Sequence, residues 1–172
     1  MDSRRCNLRF ATKKITDPEG GEQTLATYTQ IIYHIVFATK NRERLLDKPR
    51  RDDLFRYIWG IIKNHEGHVF RLNGVEDHVH ILTSLHPTVG LADLVKAVKT
   101  GSAKWIKENK VFPQFDHWQE GYGAFTHSVR EKAALIEYIK NQEEHHRQVD
   151  FLDEYRKLLR EAGIEFDEKY LL

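Results

Sequence analysis

The chain has 172 residues, of which 40% are hydrophobic and 31% charged, values typical of one ordinary globular domain. The formal net charge of +1 decides little by itself, because an acidic tail can offset a basic nucleic-acid-binding face. A single cysteine, Cys6, excludes an internal disulfide and a cysteine-based zinc site. The sequence shows no apolar run long enough to cross a membrane and no secretory leader, so we expect a cytoplasmic protein with no membrane partner.

Residues 1–27 differ in character from the rest of the chain. They are polar and basic, and they contain the loop-forming sequence Asp-Pro-Glu-Gly-Gly at positions 17–21. We interpret them as a poorly ordered N-terminal extension, and residues 28–172 as a single domain.

The domain alternates between β-like and helical patterns. A run rich in β-branched and aromatic residues predicts a strand at 28–38, and an amphipathic helix follows at 49–64. Strands are predicted at 68–73 and 78–85, joined by the tight-turn dipeptide Asn73-Gly74. The later elements are a helix at 91–109, strands at 112–118 and 122–127, a helix from the capping box of Ser128 and Glu131 to about 148, and a helix at 151–161.

This order of elements predicts an α+β fold. We expect an antiparallel sheet with helices packed mainly on one face, close to the ferredoxin-like arrangement.

Two histidines, His78 and His80, flank Val79 on the predicted strand at 78–85. Because alternate strand residues point to the same face, both imidazoles can address one site while Val79 faces the core. Asp77 could orient one imidazole by accepting a hydrogen bond. Taken alone, the pattern is more often that of two surface histidines beside a turn.

Tyr138 and Gln142 are four residues apart on a predicted helix, so their side chains can address a common point. They lie at one edge of an apolar stripe, where a tyrosine most often completes a core with its hydroxyl at the rim. Two imidazoles, a carboxamide oxygen and a phenol are, however, the groups needed for metal-assisted attack on a phosphodiester. His145 and His146 are two further possible ligands.

Two basic clusters could contact phosphate groups. The helix at 91–109 carries lysines with interspersed hydroxyls, and its candidates for DNA binding are Lys96, Lys99, Ser102 and Lys104. A solvated lysine face explains this helix equally well. Lys40 and Arg42, just after the first strand of the domain, form the second cluster.

Taken in order, four stretches of the sequence resemble the single-tyrosine HUH transposases of the insertion-sequence 200/605 family and their repeat-associated (REP-associated) relatives. These stretches are YHIVFATKNR at 33–42, NGVEDHVHIL at 73–82, WQEGYGAF at 118–125 and YIKNQEEHH at 138–146. The resemblance covers residues 28–172 and includes the closing helix and tail.

The resemblance implies that His78, His80 and Gln142 bind a divalent metal, Mg²⁺ or Mn²⁺, and that Tyr138 is the nucleophile. The implied reaction is cleavage of single-stranded or hairpin DNA through a 5′-phosphotyrosine, followed by strand rejoining. The family also implies a palm-like antiparallel sheet and a homodimer in which the tyrosine helix of one subunit completes the metal site of the other. Some members have glycines directly before that helix; here the nearest are Gly121 and Gly123.

Two other functions stay open at this point. One is a metal-dependent nuclease that uses water as its nucleophile, with Tyr138 only packing. The other is a non-catalytic hairpin-DNA-binding module. We discount a two-histidine phosphoesterase, because it needs two His-x-Thr/Ser elements and only the stretch at 86–88 provides one.

Overall fold

The computed structural model describes residues 9–16 and 22–171, and the side chains of residues 28–171. Its central sheet has four strands, β3 (Ile32–Ala38), β4 (His68–Gly74), β5 (His78–Ser84) and β6 (Gly123–His127). The strand order is β4-β5-β3-β6, and every neighbouring pair is antiparallel. With α1 (Lys48–Asn64) between β3 and β4, and α2 (Leu91–Glu108) between β5 and β6, this is the ferredoxin-like order. The predicted α+β fold class is confirmed.

One face of the sheet packs against α1 and α2, the two long helices. On α1, a stripe at four-residue spacing, Leu54, Ile58 and Ile62, is fully buried. These side chains join Val79 and Ile81 of β5 in the largest apolar cluster. Within the described part of the chain, no helix combines the length and apolarity needed to span a bilayer.

Three shorter helices cover the opposite face, namely α3 (Lys132–Lys140), α4 (Gln142–His145) and α5 (Phe151–Glu161). Ile139 of α3 clusters with Ile32 and Leu82, and Phe151 of α5 clusters with Val36. The histidine-bearing face of β5 is therefore enclosed, which is why its polar residues are buried rather than displayed at the surface.

The predicted turn at Asn73-Gly74 is wrong. Gly74 belongs to β4 and pairs with Val79, so residues 75–77 make the connection to β5. Glycine is needed at position 74 for another reason: a Cβ there would lie 2.3 Å from the carbonyl oxygen of His78.

The strand predicted at 112–118 is also wrong. These residues form turns, with one isolated bridge between Trp118 and Thr39. Pro113 lacks the N–H that a strand ladder needs, and Phe112 and Phe115 are buried in the apolar core instead.

A separate antiparallel hairpin precedes the sheet. Its strands are β1 (Arg9–Thr16) and β2 (Glu22–Thr29), paired in register from Arg9 with Thr29 to Thr16 with Glu22. No strands were predicted in this segment, and the strand predicted at 28–38 is divided between β2 and β3. The loop sequence at 17–21 lies outside the described residues. The division of the chain at residues 27 and 28 stays a prediction.

Candidate metal centre

His78 and His80 lie on the enclosed face of β5, and both side chains are fully buried. The Nδ1 atom of His78 is 2.6 Å from a carboxylate oxygen of Asp77, and Nδ1 of His80 is 2.9 Å from Nε2 of His34. In the described chain, Nε2 of each of the two β5 histidines has no hydrogen-bond partner. Contacts at one ring nitrogen fix the orientation of the other, so both free Nε2 atoms are available to a metal ion.

Tyr138 and Gln142 reach the same point although their helix is not continuous. At Asn141 the backbone leaves the helical conformation, with φ −94° and ψ 18°, so the predicted helix to about residue 148 is divided into α3 and α4. The Tyr138 hydroxyl donates a hydrogen bond to Oε1 of Glu154, and Nε2 of Gln142 donates to the same oxygen at 3.0 Å. Gln142 is fully buried, and its Oε1 has no partner among the described residues.

Asn73 of β4 attaches the end of α3 to the sheet. Its Nδ2 donates to the backbone carbonyls of Ile139 and Lys140 at 2.9 and 3.0 Å. The last carbonyls of a helix have no partner within the helix, so this side chain satisfies two of them. Since Asn73 pairs with His80 in the sheet, the strand pair that holds the histidine also positions the tyrosine helix.

Glu154 of α5 lies at the centre of this polar cluster and is only 3% exposed. Its Oε2 is 3.5 Å from Nε2 of His80 and 3.8 Å from Nε2 of His78. Nε2 of His146 is 3.0 Å from the same oxygen. One ligand atom from each of these four residues lies within 4.8 Å of the others, an arrangement that could hold a metal ion.

The donor set fits a divalent cation. Five ligand atoms are buried without a hydrogen-bond partner in the described residues: Nε2 of His78, His80 and His146, Oε1 of Gln142 and Oε2 of Glu154. Buried polar atoms are costly unless they are satisfied, and a cation among His78, His80, His146 and Glu154 would satisfy four of the five. Oxygen ligands favour Mg²⁺ or Mn²⁺, whereas imidazole nitrogens also suit other transition metals.

Burial and neighbouring charges set the protonation of the site. Burial lowers the pKa of His78 to about 4, so this imidazole is neutral at neutral pH, as a metal ligand must be. Burial alone would raise the pKa of Glu154, but the adjacent His146 and His80 outweigh it and hold that pKa far below its usual range. Burial and the Glu154 carboxylate raise the pKa of Tyr138 well above its usual value, so the phenol is protonated at neutral pH.

Tyr138 also borders a cleft between α3 and α5 with a volume of ≈ 400 Å³. Other lining residues are Leu135, His145, Glu154 and Lys157. The predicted nucleophile is thus half-buried in the wall of an opening, whereas His78 and His80 are fully buried.

Two of the predicted DNA contacts, Lys40 and Arg42, lie close to this site. They follow β3, whose last residue, Ala38, pairs with His78. Nζ of Lys40 is 3.2 Å from a carboxylate oxygen of Asp116, and a guanidinium nitrogen of Arg42 is 3.9 Å from Asp150. Because Asp150 is the N-cap of α5, this contact places Arg42 at the start of the helix that carries Glu154.

The predicted DNA contacts on α2 are on the other side of the sheet from the histidines. Lys96 and Lys104 are exposed there. Nζ of Lys99 donates to the backbone carbonyls of Gln119 and Gly121 at 2.5 and 2.7 Å, so this lysine fastens the segment before β6.

Ser102 is corrected from a DNA contact to a core residue. Its side chain is fully buried and donates to the carbonyl of Val98. Its oxygen also accepts a hydrogen bond from Nε1 of Trp118 at 2.9 Å, so the hydroxyl is not available to a surface ligand.

Sequence reasoning did not select Glu154 or His34. Glu154 did leave a signal: it occupies a buried position of α5, three residues after Phe151 and four before Leu158, where an apolar residue is expected. His34 has no such signal, because its contact with His80 depends on the pairing of β3 with β5.

The fold and the polar cluster define the class of protein: an α+β protein with a ferredoxin-like sheet and a candidate metal centre on one face of that sheet. The family profile described as "Transposase IS200 like" matches residues 27–142, more than half of the chain. The chain therefore belongs to the IS200-like transposase family.

Three individual similarities agree with this assignment. The chain is 28% identical over 120 residues to the ISDra2 transposase TnpA of Deinococcus radiodurans, covering 66% of this chain and 84% of the relative. A crystal structure of a candidate transposase from Deinococcus radiodurans superposes with a TM-score of 0.52 at 24% identity, covering 83% of this chain and 98% of the other. A REP-associated tyrosine transposase bound to a REP hairpin matches with a TM-score of 0.53 at 13% identity, covering 69% of each chain. The two structural similarities support the fold.

Proposed function

We propose that this chain is a metal-dependent transposase of single-stranded DNA that cleaves and rejoins strands through a 5′-phosphotyrosine. The observation that carries the proposal is that Tyr138 and Gln142 converge on the carboxylate beside His78 and His80 within one chain. Family membership supports transposase activity. The structural neighbour that is bound to a REP hairpin supports hairpin DNA as the partner.

His78, His80 and Gln142 would hold the divalent ion, Mg²⁺ or Mn²⁺, through atoms that have no partner in the described chain. When bound, such an ion supplies Lewis-acid activation of the scissile phosphate. The chain prepares the site in two ways: burial keeps the His78 imidazole neutral, and Asp77 and His34 hold the two rings in orientation.

Tyr138 would then attack the scissile phosphorus. The bond from the phenolic oxygen to phosphorus forms as the bond from phosphorus to the 3′-oxygen breaks, and the proton lost by the phenol is balanced by the proton gained at the 3′-oxygen. The phosphotyrosine keeps the energy of the original phosphodiester. Attack by a free 3′-hydroxyl reverses the step and joins strands without a nucleotide cofactor.

Lys40 and Arg42 would contact the DNA backbone beside the histidine end of β5, because they follow Ala38, which pairs with His78. The exposed Lys96 and Lys104 are on the opposite side of the sheet. They would contact only a substrate long enough to wrap around the edge of the domain.

Within the single chain, Tyr138 contacts Glu154, whereas the family resemblance implies that the tyrosine helix is exchanged within a homodimer. Mixing the inactive variants His80→Ala and Tyr138→Phe separates the two arrangements. Cleavage recovered in the mixture requires that Tyr138 of one chain act at the histidines of another. A mixture that stays inactive supports action within one chain.

The proposal is tested with a labelled single-stranded hairpin DNA, Mn²⁺ and denaturing electrophoresis. Tyr138→Phe removes the nucleophilic oxygen but little packing, so we expect loss of both the cleaved product and the covalent adduct, with hairpin binding retained. Tyr57→Phe, a tyrosine of α1 on the other side of the sheet, is the matched control and should leave the adduct intact.

Two outcomes would replace the proposal with one of its alternatives. Cleavage by pure Tyr138→Phe protein would indicate a nuclease that uses water. Hairpin binding that is insensitive to chelator, with no product strand from the wild type, would indicate a non-catalytic binding module.

A further inference from the structure

We infer that Glu154 is a fourth ligand of the proposed metal ion and that the same carboxylate positions Tyr138 and Gln142. The inference rests on the proposed function, because it concerns the same metal centre. It assigns the C-terminal helix α5, which lies beyond the residues matched by the family profile, a direct part in the site.

The two oxygens of Glu154 have different surroundings. Oε1 accepts hydrogen bonds from the Tyr138 hydroxyl and from Nε2 of Gln142. Oε2 has no hydrogen-bond partner in the described chain, although Nε2 of three histidines lies 3.0 to 3.8 Å away. One oxygen therefore holds the nucleophile and a ligand, and the other is free for a cation.

The carboxylate of Glu154 is buried among histidine side chains. Its ion-pair partners are all imidazoles, those of His78, His80, His145 and His146, and no lysine or arginine of the described residues is among them. A buried carboxylate is costly unless it is paired with a cation, and these imidazoles are cations only when they are protonated. A divalent ion bound between the Nε2 atoms of the β5 histidines and Oε2 would remove this cost.

Packing fixes the carboxylate in place. Asp150 caps α5 by accepting a hydrogen bond from the backbone N–H of Leu152. Phe151, one turn before Glu154, stacks on the ring of His78 with 4.1 Å between centroids. The first turn of α5 thus covers His78 with Phe151 and carries Glu154, the other proposed ligand. This rigid arrangement is suited to a preformed site.

The alternative is that Glu154 is only a structural acceptor for Tyr138 and Gln142. The two roles predict different effects on metal affinity when the negative charge of Glu154 is removed. Glutamine at position 154 keeps an oxygen that can accept the Tyr138 hydrogen bond but loses the negative charge. A structural acceptor tolerates this change without loss of metal affinity, whereas a ligand does not.

The test measures Mn²⁺ affinity of the full chain, without DNA, from the loss of the free-Mn²⁺ electron paramagnetic resonance signal. We expect Glu154→Gln to raise the Kd at least about tenfold. Glu161→Gln, which removes the same charge from an exposed position of the same helix, should leave the Kd unchanged. His80→Ala should abolish binding in the titrated range.

A Kd of Glu154→Gln within about twofold of wild type, with binding lost in His80→Ala, would overturn the inference and leave the proposed function intact. Wild-type affinity in His80→Ala would instead overturn the proposed metal centre itself. If Glu154→Gln does not fold, Glu154→Asp is measured instead; it keeps the charge, so its Kd reports on the position of the carboxylate. Its carboxylate is withdrawn by one methylene, so an unchanged Kd would exclude coordination.

Discussion

The two faces of the central sheet bury side chains of different character. Against α1 and α2 the sheet buries mainly aliphatic and aromatic groups, such as Ile35 and Ile81. The layer between the sheet and α3, α4 and α5 also contains buried polar groups, namely the imidazoles of His34, His78 and His80, the carboxamide of Gln142 and the carboxylate of Glu154. Several atoms of these groups have no partner within the described chain. Apolar burial stabilises a fold, whereas unsatisfied polar burial opposes it. The comparison indicates that the face against α1 and α2 contributes mainly stability, whereas the other face also carries the groups of the proposed chemistry.

The largest expected effect on stability is on the apolar face. Leu54→Ala creates a cavity in the core between α1 and the sheet, so we expect the free energy of unfolding to fall by about 2–5 kcal/mol. Urea denaturation measures this loss. Cleavage per folded molecule should be unchanged, because Leu54 has no contact with the site. A reduced rate in fully folded Leu54→Ala protein would show that the two faces are not separate.

Asn73→Ala tests the connection between the sheet and the tyrosine helix. It removes two hydrogen bonds to the end of α3, and we expect a loss of about 1–2 kcal/mol in unfolding free energy together with slower cleavage. Asn109→Ala is the matched control: its Nδ2 donates at 2.9 Å to the carbonyl of Trp105 at the end of α2. Equal cleavage rates in the two variants would exclude a positioning role for Asn73.

The smallest expected effect is on hairpin affinity, and it should distinguish the roles of the two basic clusters. Arg42→Ala is expected to weaken hairpin binding by a few-fold and to lower the slope of log affinity against log salt by about one. Lys96→Ala, on the α2 side, should change neither. Fluorescence anisotropy over a salt series gives both values. The reverse order of effects would place the DNA on the apolar side of the domain.

Periodicity predicted the helices at 49–64, 91–109 and 151–161 to within a residue or two of α1, α2 and α5. Each has an apolar stripe that its local sequence displays. The turn at Asn73-Gly74 was misplaced because the dipeptide favours a tight turn, whereas Gly74 is needed for a close approach to the next strand. Local sequence does not distinguish these two uses of glycine.

The candidate site was predictable only where its residues are close in sequence. The strand pattern predicts that His78 and His80 share one face of the sheet. Helical spacing predicts that Tyr138 and Gln142 lie close together. The contacts of His34 with His80, and of Glu154 with Tyr138, join separate elements, so they follow from the packing of α5 and β3 rather than from spacing. Ser102 was assigned to DNA binding because it lies among the lysines of α2, but it is buried and accepts a hydrogen bond from a tryptophan in the core.

The pairing of Asn73 with His80 has a consequence for how this fold tolerates change. A one-residue slip of β4 against β5 would turn the Asn73 side chain to the other face and release the helix end, while His80 stays paired with Val36 of β3. Insertions in the 75–77 connection that alter strand alignment should therefore inactivate the protein in a single step, whereas those that only lengthen the bend should be harmless.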